Sequence, residues 1–240
     1  MCGNHSSRAI RSEIEYNRAR TTNAVYQRVQ LISAKPQRRF FQAAAATTLV
    51  STSSVQAADT GANVFGPLPG YTPQIGTLVS EMTWMRGAVL RAVKGMTQDQ
   101  IDFLLDSRAN RIGALVLHLA ATEKLYQLNT FDNLGPDELY KSPEFKNWVV
   151  PMDLGEPARK ALKGHDLDYY LNFLREGREK TLAEFRKRGD SWLMAVDKTW
   201  PWGPTNNLCK WFHVCEHESH HTGQISLLKN RAPGAKSENG

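Results

Sequence analysis

The stretch His213-Val214-Cys215-Glu216-His217-Glu218-Ser219-His220-His221-Thr222-Gly223-Gln224 holds four of the chain's seven histidines. Trp211, Phe212, Ile225, Leu227 and Leu228 flank it, and no proline interrupts Thr205 to Arg231, so it reads as one helix. At about 100° per residue, Val214, His217, His221, Ile225 and Leu228 fall on one stripe about 60° wide to either side. His217 and His221 therefore share the face that carries the aliphatic residues. His213, His220 and Gln224 gather on the neighbouring stripe. Residues four apart on a helix are neighbours, so both rings can reach one ion. A solvated polar face, or core histidines bonded to backbone carbonyls, is the plainer reading of any single histidine. A pair on the apolar stripe is different, because each buried imidazole needs a hydrogen-bond partner or a metal.

Upstream, helical periodicity defines three more long segments. The first runs from about Pro73 to Lys94, with Ile75, Leu78, Val79, Met82, Met85, Val89 and Val93 in register and Gly95 as its stop. Thr97 and Gln100 predict a capping box for a short turn through Leu105. The second runs from about Asn110, read as its cap, to Asn129. It places His118 on a face with Ala114, Leu115, Ala121, Thr122 and Leu125. The third runs from the cap Asp166 to Lys187. Leu167, Tyr170, Leu171, Leu174, Thr181, Leu182 and Phe185 form its inner stripe, and Arg175, Arg178, Glu179, Lys180, Arg186 and Lys187 its expected solvated face. Between the second and third helices, Gly135, Pro136, Pro143, Pro151, Gly155 and Pro157 break the chain into short pieces, a segment of the kind that shapes the mouth of a site. A Trp-rich connection, Ser191 to Thr205, leads into the histidine helix. Four amphipathic helices predict an all-α, antiparallel four-helix bundle.

The formal charge of +6 belongs to the N-terminal region. Eight basic and two acidic residues precede Phe40, none of either sign lies between Phe40 and Ala57, and 22 of each sign follow. The neutral remainder argues against nucleic-acid binding. Gln37-Arg38-Arg39-Phe40-Phe41-Gln42 resembles a twin-arginine translocation signal. The apolar run Ala43 to Val50 is too short to span a bilayer, and Val55-Gln56-Ala57 offers the small residues of a cleavage site. The expected organisation is a leader over 1–57, a Gly/Pro-rich linker over 58–71, a helical domain over 72–232 and a polar tail over 233–240. Engagement of the twin-arginine export machinery and a periplasmic or secreted destination follow, with no membrane attachment once the leader is removed. Cys209 and Cys215 lie six apart on one helix and point in divergent directions, so they cannot pair with each other.

His217-Glu218-Ser219-His220-His221 also matches the zinc-protease signature H-E-x-x-H. The match competes badly. Metzincins carry a third histidine six residues later, where this chain has Leu227, and only Glu238 offers a downstream carboxylate. A third ligand must come from upstream, and His118 is the natural source.

Leu117-His118-Leu119-Ala120-Ala121-Thr122-Glu123, taken with the H-x-x-H-H-x-G-Q ending of the histidine stretch, resembles the DinB-like superfamily of metal-binding four-helix bundles. The likeness covers roughly Pro73 to Arg231. It implies a divalent metal held by His118, His217 and His221. Relatives include thiol-dependent enzymes, among them the mycothiol-dependent maleylpyruvate isomerase and bacillithiol transferases, and the family often forms homodimers. Where the family often has Arg, this chain has Thr222, and any anion contact made by that Arg lacks its residue here.

Three neutral imidazoles on one side of an ion leave positions open for water or substrate, as catalytic sites do. Zinc or nickel suits such a donor set, and iron is compatible with it. Glu218 and Glu123 are candidates for supporting the ligands or for a general base, although exposed helix carboxylates are the plainer reading of each. The expectation is a metal-dependent enzyme, of thiol-transferase or hydrolase type, acting on a small molecule such as a thiol. A non-catalytic metal or ligand binder with the same three histidines is the alternative. Export weighs against the thiol version, because low-molecular-weight thiols are chiefly cytoplasmic.

Overall fold

The structure, a computed structural model, describes residues 64–235. The leader lies outside the described residues, as do residues 58–63 of the linker and the last five residues of the tail.

The chain forms α1 (Pro73–Val93), a short α2 (Gln98–Ile101), α3 (Ile112–Thr130), α4 (Pro136–Lys141), a 3-10 turn (Lys146–Trp148), α5 (Val149–Asp153), α6 (Gly155–Ala161), α7 (Leu167–Phe185), α8 (Asp190–Leu193) and α9 (Asn207–Lys229). A two-residue antiparallel ladder between β1 (Val196–Asp197) and β2 (Thr205–Asn206) closes the Trp-rich connection into a hairpin, which the sequence pattern did not show. Among the described residues, no helix is long and apolar enough to cross a membrane.

The helix ends follow local chemistry. Pro73 begins α1, where a missing N–H costs nothing. The Asp190 carboxylate, far along the chain, accepts from the Gln74 and Ile75 amides and the Thr72 hydroxyl, and so caps α1 from outside. These bonds hold the Asp190 carboxyl below its ordinary range. Thr97 and Gln100 make the expected capping box, and Asp166 caps α7 through the Tyr169 amide. Asn110 does not cap α3. The cap position is Arg111, and the Asn110 amide oxygen instead accepts from the Gly155 amide, tying the 131–166 segment to the start of α3.

Helix α3 is the central strut. Every residue from Ile112 to Thr130 except Lys124 and Leu125 is buried. A helix that is apolar on all sides belongs in the middle of a bundle. Its entry is tight, since a Cβ on Gly113 would meet the Tyr170 ring at 2.6 Å. Glycine is what allows α3 and α7 to approach here.

Two apolar clusters fill the bundle, and each long helix contributes to both. One contains Val89, Ile112, Leu115, Tyr170, Leu174, Ile225 and Leu228. The other contains Ile75, Met82, Tyr126, Phe131, Phe185, Trp211 and Val214. The order of these residues gives the helix directions. α1 is antiparallel to α3, and α7 to α9, as the sequence predicts for neighbours in the chain. α3 and α7 run parallel, because the long 131–166 crossover returns the chain to the starting end. Between the two apolar clusters each helix carries a polar residue inward: Arg86 on α1, His118 and Glu123 on α3, Arg178 on α7, and His217, Glu218 and His221 on α9.

Candidate metal centre

The polar layer divides into two groups of opposite character. The first is the histidine group. α3 and α9 pack side by side, so His118 meets the i, i+4 pair His217 and His221. The Nε2 atoms of His217 and His118 are 2.7 Å apart, and those of His221 and His217 3.2 Å. All three rings are buried, none more than 9% exposed. One nitrogen from each lies within 4.8 Å of the others, a donor set able to hold a metal ion.

The outer nitrogens show why Nε2 is the free donor. His118 Nδ1 lies 3.0 Å from the carbonyl oxygen of Pro151 on α5. A carbonyl only accepts, so Nδ1 carries the hydrogen and Nε2 keeps its lone pair. His221 Nδ1 likewise donates to Gln224 Oε1, 2.8 Å away, one turn further along α9. Gln224 Nε2 in turn reaches His220 Nε2 at 3.1 Å. Burial holds all three rings neutral. It lowers the His118 pKa to about 3, with His221 adding to the effect, and lowers the His221 pKa to about 4, with His220 adding. His217, flanked by both other ligands, is lowered as well, again by burial first. Neutral imidazoles with converging lone pairs repel one another unless a cation or a proton sits among them. Nitrogens bound to zinc at ~2.0–2.1 Å in a tetrahedral set stand roughly 3.4 Å apart. The 3.2 Å spacing is close to that and the 2.7 Å spacing is shorter, so a small parting of the His118 and His217 rings lets the residues fit the ion.

The second group is ionic. Arg86 Nε and Nη2 donate to Glu218 Oε1 at 2.9 and 2.7 Å, and Nη2 also to Glu123 Oε2 at 2.8 Å. Arg178 Nε donates to Glu123 Oε1, and its Nη2 to Glu218 Oε1, both at 2.9 Å. The remaining guanidinium nitrogens satisfy the carbonyls of Leu174 and Met82. The two carboxylates differ. Burial raises the Glu123 pKa, but Arg178 and Arg86 outweigh it and hold the group below its ordinary value. For Glu218 burial wins over Arg86 and Arg178, and the pKa is raised. Its Oε2 is buried and accepts no hydrogen bond among the described residues.

The reading of Glu123 and Glu218 as exposed helix carboxylates is thus corrected. Both are about 1% exposed and engaged by guanidinium groups. Arg178, assigned from the sequence to a solvated face, is buried with them. The signal was present, because Arg178 follows Leu174 by four and precedes Thr181 by three on the inner stripe. Pro151, Gln224 and Arg86 were not singled out either. Cys209 is exposed, while Cys215 is buried.

A third set of side chains borders the histidines. Tyr126 Oη lies 2.8 Å from His213 Nδ1, and the His213 ring stands 5.1 Å from that of His217 and 5.0 Å from Trp202. The hairpin bearing Trp200 and Trp202 is fastened by buried Lys210, which donates to Asp197 and Asn129 at 2.8 Å and lies over the Trp200 ring.

Comparison with known proteins agrees with this architecture. The family model for mycothiol-S-transferase matches residues 77–234, about two thirds of the chain, and spans all four long helices except the first turn of α1. No curated protein matches the chain. Three inward histidines on a helical bundle, and a family match running from α1 to beyond α9, place the chain in the mycothiol-S-transferase family, a DinB-like family.

Proposed function

We propose that this protein is a metal-dependent thiol transferase, in which His118, His217 and His221 hold a zinc-class divalent ion beside the sulfur of a small thiol. The observation that carries the reading is the convergence of three Nε2 atoms, with the His118 and His221 rings fixed from behind by Pro151 O and Gln224 Oε1. A bound zinc-class ion lowers the pKa of a coordinated thiol and keeps it as the nucleophilic thiolate near neutral pH. The protein's own part is positioning. Pro151 and Gln224 fix two tautomers, and the arginine–carboxylate cluster holds α3 and α9 in register, since Glu218 adjoins His217 and Glu123 lies five residues after His118. On this reading Glu123 and Glu218 position the ligands, and do not act as bases. The Trp202, His213 and Tyr126 side supplies an aromatic flank for the thiol or its acceptor.

The family name identifies mycothiol as the first thiol to test. Purified protein, with and without zinc, is incubated with mycothiol and a soluble electrophile while free thiol is followed. Thiol loss that needs the metal and disappears in His118→Ala supports the reading. Stoichiometric metal with no turnover of any thiol would instead favour a metal or ligand binder. We also propose export through the twin-arginine pathway, for which Arg38-Arg39 is the motif. Cell fractionation of wild type and Arg38→Lys/Arg39→Lys tests it, the double variant being expected to stay in the cytoplasm.

A further inference from the structure

On the side of α9 away from His118, His217 and His221, α1 and α9 leave an open groove, with His220 at one edge. Two adjoining cavities of about 640 and 550 Å³ share Glu81 and Phe212 as walls. Phe212 and Glu216 on α9 lie about 100–140° around the helix from His217, so this groove is separate from the metal centre. Three aromatic rings frame it: Phe65, Trp84 and Phe212, exposed by 48%, 42% and 53%. Phe65 stands edge-on to Trp84, with centroids 5.8 Å apart.

The charges are one-sided. Among the described residues no lysine or arginine lines either cavity, whereas the carboxylates of Glu81 and Glu216 do, with the His220 ring at the edge of the second. Among the described residues Glu81 makes no hydrogen bond or ion pair. Glu216 has only the half-buried His213 ring, at 3.9 Å. Aromatic faces attract cations at up to about 6 Å, and the Arg91 guanidinium already stands 6.0 Å from the Trp84 centroid.

We propose that this groove binds a small organic ammonium ion with an apolar body. The body lies against Trp84, Phe65 and Phe212, and the charge faces Glu81. Each feature has a counterpart in such a ligand: apolar walls for the alkyl groups, ring faces for the diffuse positive charge, and a carboxylate with no ion-pair partner among the described residues for its compensation. The proposal does not depend on the metal centre or on transferase activity.

The test is calorimetric titration of the full chain with choline and, separately, with its neutral isostere 3,3-dimethylbutanol. Choline is expected to bind saturably in the millimolar range, and the alcohol about tenfold more weakly or worse. Trp84→Ala and Glu81→Gln are each expected to weaken choline binding by about fivefold, and added salt to weaken it in the wild type but little in Glu81→Gln. Both residues are partly exposed, and unchanged helical circular dichroism shows that the variants fold. Equal binding of choline and the alcohol would overturn the proposal, as would the absence of saturation at tens of millimolar. It would also fail if sedimentation shows that a second copy covers the groove, so that Trp84→Ala yields monomers and choline has no effect.

Discussion

Residues 217 and 218 are adjacent on α9, yet they belong to clusters that solve burial in opposite ways. Glu218 enters a set of two guanidinium groups and two carboxylates whose formal charges cancel. His217 enters a set of three neutral rings whose Nε2 atoms gather within hydrogen-bonding distance of its own. The ionic set finds its counter-charges within the protein, with Glu218 Oε2 the one carboxylate oxygen of the four that accepts no hydrogen bond among the described residues. The imidazole set offers three donor nitrogens able to hold a metal ion. A buried network of paired charges holds a structure together, whereas a converging set of neutral donor atoms suits a cation.

The largest consequence falls on the ionic side. Arg178→Met leaves Glu123 and Glu218 sharing one guanidinium in a buried site, and the unfolding free energy is expected to fall by about 3–5 kcal/mol. His217→Ala, without metal, removes one neutral ring and leaves no buried charge unpaired, and should cost less. Urea denaturation of the two apo variants checks the order, and the reverse order would break the contrast.

Added metal should act only through the imidazole side. Zinc at about 100 times its dissociation constant is expected to raise wild-type stability by roughly 2.7 kcal/mol. No such rise is expected in His118→Ala, His217→Ala or His221→Ala. Elemental analysis of each purified protein gives the matching stoichiometry.

The pH dependence follows from the direction of the shifts. Folded His118 and His221 titrate at about 3 and about 4, below the ordinary 6.5. In the unfolded chain they take up protons as the pH falls past 6.5, while in the fold they do not. Their stabilising effect is therefore full above about 6.5 and lost progressively as the pH drops toward the folded values. From pH 7 to 5 the apo protein should lose up to about 2 kcal/mol for each histidine kept neutral. Denaturation midpoints of wild type and the His118→Ala/His221→Ala double variant measure this. A wild-type slope no steeper than that of the double variant would show that the rings are not held neutral.

The contrast between the clusters was only half legible in the sequence. The histidine side could be read because His217 and His221 fall on an amphipathic stripe, where a polar residue stands out against Val214, Ile225 and Leu228. The ionic side was hidden for two reasons. Arg178 and Glu123 belong to residue types that are overwhelmingly surface-exposed, so composition pointed outward even where the inner stripe of α7 pointed inward. Helix α3 is buried on nearly every side, and a helix without a polar face gives periodicity nothing to work with. The four long helices were legible to within a few residues. The parallel pairing of α3 with α7 was not, because it depends on how far the 131–166 crossover carries the chain, which no local pattern encodes.

The smallest expected effect is also the most selective. Gln224 is exposed and accepts from His221 Nδ1, so its side chain reaches the imidazole cluster without supporting the core. Without that bond His221 is free to rotate or change tautomer, and part of its time Nε2 no longer offers a lone pair. Residues that orient a metal-binding histidine typically contribute about tenfold or more to affinity. Gln224→Ala is therefore expected to weaken zinc binding by about tenfold and to leave apo stability within about 0.5 kcal/mol of wild type. Competition with a fluorescent zinc chelator measures the first, and urea denaturation in excess chelator the second. A variant that loses stability without metal, yet binds zinc as tightly as before, would mean that Gln224 serves the fold and that the two clusters are less independent than their chemistry implies.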